Sequence, residues 1–183
     1  MKWIASEGGP LICATMSEVR KWGGIDESSV GQSSSDYDRA CEVTEHLSVI
    51  PCDKSEVLVL GGEPAQSAFI HTRCGVAIAR WIRCSSAEAA ASLLAAVPDG
   101  LPQIEEPKLF LLGEGGELVM LDSAFSLADS PRIETVELSP GHYEVSSETF
   151  AKKGSFEFWI HRFKKVGSTG RNTQLPKTSA GSP

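Results

Sequence analysis

The sequence lacks the features of an exported or membrane-spanning chain. No apolar stretch of about seven or more residues follows its first lysine, so we expect no secretory signal. Apolar runs such as 57–60 and 109–112 fall far short of the roughly 20 residues that cross a bilayer. The five cysteines are scattered and contain no Cys-x-x-Cys pair, which indicates a reducing compartment. These absences predict a cytoplasmic protein.

The spacings typical of catalytic, metal and phosphate sites are also missing. Two local Cys–His pairs are poor candidates for a nucleophile and its base: Cys41 and His46 are five apart on a predicted helix and do not share a face, and Cys74 with His71 lacks an obvious third member. His71 and Cys74 also lack the second ligand pair of a structural zinc site. The glycine-rich turns have neither a Gly-Lys-Ser/Thr ending nor a Gly-x-Gly-x-x-Gly spacing. We therefore expect no catalysis, no cofactor and no metal.

Basic residues are scarce in the middle of the chain. Residues 86–150 contain 2 basic and 12 acidic side chains, a net charge of −10, whereas residues 1–85 carry −3 and residues 151–183 carry +6. Such a field repels nucleic acid and attracts a basic protein partner. A merely solvated surface is the alternative interpretation. We expect a protein partner, and neither nucleic acid nor a membrane.

The 183 residues, of which 41% are apolar, predict one compact unit with a substantial core. Short apolar runs bounded by glycine and proline predict strands, and apolar stripes behind serine or aspartate predict helices. The strands predicted before residue 98 are 3–5, 11–14, 57–60, 68–71 and 75–84. The helices predicted there are 17–22, 37–47 with Asp36 as N-cap, and 87–97 with Ser85 and Glu88 as a capping box. A serine-rich loop is expected at 25–35.

Prolines at 98, 102 and 107 suggest an internal boundary. The predicted fold class is α+β: a mixed N-terminal part, 1–103, with two to three helices and a sheet, then a β-rich C-terminal part, 104–165, built of hairpins. Residues 166–183 lack periodicity and are predicted to be a disordered tail. The predicted hairpins pair 108–112 with 117–121 and 133–138 with 142–146, and the last strand is 156–163.

Arg80 is the charged residue that we expect to be buried, because it shares a predicted strand face with Val76, Ile78 and Ile82. A buried guanidinium needs a partner, and Asp36 or Asp38 could supply a carboxylate. A contact with a small ligand is the alternative role. The residues assigned to this structural or ligand-contacting set are Asp36, Tyr37, Asp38, Arg39 and Arg80.

Five pieces of the chain, 3–11, 36–41, 59–64, 80–81 and 138–145, resemble the immunity protein 21 family of bacterial polymorphic-toxin systems. The resemblance covers about residues 1–165. It implies a cytoplasmic protein that binds and neutralises a cognate toxin domain without catalysis. It assigns no contact residues and no oligomeric state.

The acidic middle segment is predicted to face the toxin, because a basic nucleic-acid-binding surface would be attracted to it. The toxin-binding residues proposed from the sequence are Glu105, Glu106, Glu114 and Glu117. The alternative function is a cytoplasmic small-ligand or regulatory binding module. A deep pocket lined by Arg80 and Tyr37 would favour that alternative, whereas a broad acidic face with exposed aromatic residues would favour the inhibitor.

Overall fold

The computed structural model describes residues 1–62 and 64–167. In chain order the described elements are β1 (Leu11–Thr15), α1 (Met16–Val19), α2 (Asp36–Cys41), β2 (Ser48–Cys52), β3 (Ser55–Leu60), β4 (Gln66–Thr72), β5 (Gly75–Arg83), α3 (Ala87–Leu94), β6 (Gln103–Leu112), β7 (Glu117–Asp122), β8 (Ile133–Glu137), β9 (Gly141–Lys152) and β10 (Phe156–Lys165). Within the described residues, no helix has the length and apolar character needed to cross a membrane. The disordered tail predicted for 166–183 lies, beyond residue 167, outside the described residues.

The strands form two five-stranded antiparallel sheets. The order is β2-β3-β1-β7-β8 in the first sheet and β4-β5-β10-β9-β6 in the second. Each sheet combines strands from before and after residue 103, so both sheets run across the boundary that the prolines suggested. The fold is α+β in the broad sense and strongly β-rich.

Strands buried on both faces explain the layered arrangement. In β1, Leu11 and Cys13 enter the core between the sheets, whereas Ile12 and Ala14 pack with Val19 and Trp22 beside α1. In β5, alternate residues enter the inter-sheet core or pack beneath α3. The outer faces of the two sheets are therefore each covered in part by helix, and the inner faces share one core.

The three helices of the N-terminal part are present, but they are shorter than predicted, and the part as a whole is β-rich. The helix expected at 37–47 ends at Cys41, and the helix expected at 87–97 ends at Leu94. After Cys41 the β-branched residues Val43 and Thr44 have low helix propensity, and Leu47 is drawn into the inter-sheet core. Ser86, and not Ser85, caps α3 by accepting a hydrogen bond from the Ala89 amide. Burial of single apolar residues between the sheets thus overrides helix extension.

Both predicted hairpins are wrong, although their strands are present. β6 pairs with β9, and β7 pairs with β1 and β8, so the glycine-rich turn 113–116 carries the chain from one sheet to the other. Phe110 and Leu112 of β6 then contribute to the same inter-sheet core as Leu118 and Met120 of β7. The connection between β8 and β9 crosses between the sheets in the same way. A short glycine turn permits either geometry, and burial of facing apolar side chains selects the crossover.

Candidate functional site

Arg80 lies on the inner face of β5 and is 1% exposed. Its Nη1 donates hydrogen bonds to the backbone carbonyls of His46 at 3.0 Å and Gly61 at 2.6 Å. Its guanidinium carbon stands 5.2 Å from the centre of the Trp159 ring. Burial lowers the pKa of Arg80 to about 10, and the nearby Glu105 carboxylate opposes that shift. The side chain therefore remains a buried cation at neutral pH and fixes two turns of the chain.

The predicted partner of Arg80, Asp36 or Asp38, is wrong. Asp36 is buried and accepts hydrogen bonds from Arg39 at 2.5 Å and from the Gly23 amide at 2.8 Å. Asp38 is exposed and accepts from the Ser35 amide in a capping box, in which Ser35 and not Asp36 is the N-cap. Both carboxylates therefore serve α2 and the loop before it, whereas β5 places Arg80 beneath a different pair of turns.

A row of polar side chains continues from Arg80 across the inner face of the second sheet. The Ser147 hydroxyl donates to Glu105 at 2.7 Å and lies 2.9 Å from Nδ1 of the fully buried His161. Burial lowers the pKa of His161 well below its ordinary value, and the charges of Arg80 and His46 act in the same direction. Serine stands here between histidine and carboxylate, whereas a nucleophilic triad needs histidine in the middle. The row thus joins β6, β9 and β10 and presents no activated nucleophile.

Three of the pieces that carry the family resemblance meet at one cleft of about 270 Å³, the motif cleft. Its lining residues are Gly8, Gly9, Pro10, Ala40, Cys41, Val43, Gly61, Gly62 and Pro64. They come from the turn before β1, from α2 and its end, and from the turn after β3. Short side chains and backbone therefore form the lining that the described residues supply.

Close backbone approach sets the walls of the motif cleft. A Cβ on Gly9 would lie 2.4 Å from the Tyr37 ring, and a Cβ on Gly61 would lie 2.5 Å from the Glu45 carbonyl oxygen. Such distances exclude any side chain at either position without movement of the neighbour. Tyr37 therefore packs behind one wall, and Arg80 holds the Gly61 carbonyl from beneath the other. Neither side chain lines the cleft, so the shared pocket that would favour a small-ligand module is not formed there.

The segments that form the motif cleft carry exposed carboxylates. Glu7 precedes the first glycine turn, Asp38 lies on α2, and Glu42 and Glu45 follow the end of α2. Arg39, the basic residue of α2, is 8% exposed and is paired with Asp36 inside the protein. The thiol of Cys41 raises the pKa of the neighbouring Tyr37 hydroxyl, so this group is neutral at physiological pH. The segments that form the cleft therefore expose acidic side chains.

A second cleft, the crossover cleft, has a volume of about 660 Å³ and lies where the two crossing turns meet. Its lining residues are Gly115, Gly116, Glu117, Glu137, Leu138, Ser139 and Pro140. Glu117 and Glu137 stand directly opposite each other in the β7–β8 ladder, and Glu114 is exposed in the adjoining turn. Like charges in such positions repel each other. None of these lining residues is basic.

The edge strand β6 connects the polar row to the crossover cleft. Leu109 and Leu111 are 67% and 44% exposed, and Glu106 on the same strand is also exposed. The Leu111 amide donates to the Glu56 carboxylate at 3.3 Å, so a charged side chain covers part of the free strand edge. The exposed part of β6 is therefore an apolar pair among carboxylates.

The four glutamates that the sequence proposed for toxin binding occupy different environments. Glu106 and Glu114 are exposed, and Glu117 is half-buried beside the crossover cleft. Glu105 accepts hydrogen bonds from Ser147 and from the His46 amide at 3.0 Å, so its carboxylate is engaged internally.

Sequence reasoning also missed features at both clefts. Glu137 was not singled out, because its position opposite Glu117 depends on strand pairing. Leu109 and Leu111 belong to a short apolar run, which does not indicate exposed side chains. They are exposed because β6 lies at the edge of its sheet. The glycines at 8–9 and 61–62 were the available signal for the motif cleft, and we interpreted them as ordinary turns.

Comparisons with known proteins bear on the class of this chain. In the part of the chain that the structure describes, no three His, Cys, Asp or Glu side chains are placed to share a metal ion. No curated protein and no solved structure matches the sequence. The family model described as Immunity protein 21 matches residues 2–154, a range that includes both clefts. The resemblance is therefore confirmed, and the chain belongs to the immunity protein 21 family.

Proposed function

We propose that this protein binds a toxin domain of a polymorphic-toxin system in the cytoplasm and neutralises it without catalysis, through the crossover cleft and the exposed part of β6. Family membership supports the class of function. The observation that carries the choice of surface is the facing pair Glu117 and Glu137, with Glu114 exposed beside it. A basic side chain of the toxin entering this cleft relieves the repulsion between the two carboxylates.

Electrostatics favours a basic toxin surface as the partner of the crossover cleft. An enzyme that acts on nucleic acid needs cationic groups to hold phosphates, and clustered carboxylates compete for the same groups. Exposed charges of this kind act mainly on the association rate, and salt screens them over a Debye length of about 8 Å at physiological ionic strength. The crossover cleft therefore speeds the encounter.

The apolar part of the surface has a different role. Leu109 and Leu111 are the exposed leucines of β6, and Glu106 precedes them on the strand. An apolar centre within a polar rim is typical of protein–protein interfaces. Burial of the two leucines by the toxin slows dissociation, while the carboxylates increase the rate of association.

The test uses the C-terminal toxin domain encoded by the neighbouring reading frame, inactivated by mutation and purified. Glu106→Gln, Glu114→Gln and Glu117→Gln are combined in one variant, and association rates are measured against ionic strength. We expect slower association at low salt, a weaker dependence on salt and a urea midpoint that is not lowered, since loss of the Glu117 charge also relieves its repulsion with Glu137. Glu105 is left unchanged because its oxygens accept internal hydrogen bonds.

A matched control removes three carboxylates from the α3 side of the molecule. Glu88→Gln, Asp99→Asn and Glu157→Gln change the net charge by the same amount, and the ion pairs of Asp99 and Glu157 are long and partly exposed. We expect this variant to associate almost as fast as the parent protein. Equal rates and salt slopes for all three proteins would place the interface elsewhere. Failure of the parent protein to bind the domain, or to protect cells that express the active toxin, would refute the function itself.

A further inference from the structure

We infer that the motif cleft receives one arginine or lysine side chain of the toxin domain, a second contact that rests on the proposed function. Three observations carry this inference: the walls of the cleft are preformed, its described lining suits an aliphatic stem, and the segments that form it expose carboxylates. Each follows from contacts and exposures among the described residues.

The motif cleft is rigid before any partner arrives. Gly9 is in contact with the Tyr37 ring, and Gly61 is in contact with the Glu45 carbonyl and with Val43. The hydrogen bonds from Arg80 tie the Gly61 turn to the backbone of His46. A preformed site loses little conformational freedom on binding, so a partner side chain that fits it binds at low entropic cost.

The size and lining of the motif cleft favour a single side chain. A volume of about 270 Å³ lies below the range of roughly 300–1,000 Å³ typical of small-molecule sites. Pro10, Ala40, Val43 and Pro64 supply apolar surface for the methylene stem of arginine or lysine. The lining residues that the structure describes include no acidic side chain, so we place the cation at the mouth.

The charge of the segments that form the motif cleft favours a basic residue. Asp38, Glu42 and Glu45 are exposed on α2 and in the segment after it, close in sequence to the lining residues Ala40, Cys41 and Val43. A cationic head group that leaves the cleft is attracted to these segments, whereas an acidic head group is repelled. An aromatic or aliphatic side chain gains nothing from these charges. Charge complementarity therefore selects arginine or lysine.

The motif cleft also lies close to the surface proposed for toxin binding. The His46 ring is next to Gly62, with Nδ1 3.0 Å from the position of a Cβ on that residue. The His46 amide donates to Glu105, the neighbour of Glu106 on β6. One partner of ordinary interface size can therefore contact β6 and the motif cleft together.

The experiment blocks the cleft without altering the core. Cys41 is exposed and lines the cleft, so Cys41→Trp places a bulky side chain in it. Cys74 is exposed in the turn between β4 and β5, so Cys74→Trp is the matched control. We expect Cys41→Trp to raise the Kd for the inactivated toxin domain at least about tenfold, and Cys74→Trp to leave it within about twofold.

A second variant tests the charge and does not depend on the fold of the first. Glu42→Gln with Glu45→Gln should weaken binding about threefold to tenfold at low salt and leave the urea midpoint unchanged. Parent-like affinity of both variants, with normal binding by the parent protein, would overturn the motif-cleft contact and leave the proposed function standing. If the parent protein itself fails to bind the domain, both proposals fall.

Discussion

The motif cleft and the crossover cleft are both formed by segments that expose carboxylates, yet they are built from different parts of the fold. Behind the motif cleft stand a buried cation and glycines in close backbone contact. The crossover cleft consists of two turns and a pair of facing carboxylates. The shape of the first is therefore part of the folded core, whereas the charge of the second is separable from folding. Substitution of the buried groups behind the motif cleft should therefore lower mainly the stability, whereas substitution of the carboxylates at the crossover cleft should weaken mainly the binding of the toxin.

The largest effect is expected for Arg80→Ala. Removal of the guanidinium leaves the carbonyls of His46 and Gly61 without this donor and removes a cation near Glu105. Breaking a buried charged contact costs about 3 kcal/mol or more of unfolding free energy. Urea unfolding at pH 7.5 measures the loss.

Arg80→Lys serves as the control for charge alone. A single ammonium on a shorter stem retains the cation but does not reproduce the fork that a guanidinium presents. We expect a smaller loss of stability than for Arg80→Ala. If Arg80→Ala kept the parent midpoint and yet abolished toxin binding, Arg80 would belong to the interface, and the distinction between the two clefts would be wrong.

Strand periodicity predicted the burial of Arg80, but not the groups that it contacts. The acceptors described for it include backbone carbonyls at His46 and in the turn after β3, and such acceptors leave no signature in residue types. Asp36 was a plausible partner by chemistry, yet Arg39 lies three residues away on the same helix and pairs with it. The carboxylate of Asp36 therefore pairs with a neighbour on its own helix and not with Arg80 on β5.

The strands of the C-terminal part were predicted, whereas their partners were not. The turn at 113–116 has the composition of a hairpin turn, and it connects two sheets. In the observed pairing, which differs from the predicted hairpins, Glu117 faces Glu137, and β6 is an edge strand with exposed leucines. The distribution of charge along the sequence located the acidic segment, but only the strand pairing shows which carboxylates lie next to each other.

An intermediate effect is expected from the pH dependence of stability. Burial keeps the pKa of His161 below its ordinary value of 6.5, so the native ring stays neutral while the unfolded ring takes up a proton below about pH 6.5. The unfolded state then binds more protons, and acid lowers the stability. From pH 7.5 to pH 5.5 this single group should cost on the order of 1 kcal/mol of unfolding free energy. Urea unfolding at the two values measures the loss.

His161→Gln separates this group from the carboxylates that also titrate in acid. Glutamine retains a hydrogen-bonding group near Ser147 but has no proton to gain in this range. The variant should be less stable than the parent at pH 7.5 and should lose less stability on acidification. Parallel pH curves for the two proteins would show that His161 is not the responsible group, and that the polar row beneath the motif cleft is not sensitive to pH.

The smallest effect is expected for Glu137→Gln at the crossover cleft. This change removes one of two like charges that face each other across β7 and β8, and it keeps the size and hydrogen-bonding capacity of the side chain. Because Glu137 is exposed, solvent screens much of the repulsion, and the gain in stability should be about 0.3 kcal/mol at low salt.

The same change should slow association with the inactivated toxin domain. Two like charges that repel each other in the free protein and are neutralised by a basic partner lead to this combination: removal of one charge stabilises the free protein and weakens the complex. Unfolding and association should both be measured at low and at high salt, since both differences should shrink as screening increases. A loss of stability at low salt would show that the two carboxylates do not repel each other in the native state, and the crossover cleft would then lose its argument as the toxin-facing surface.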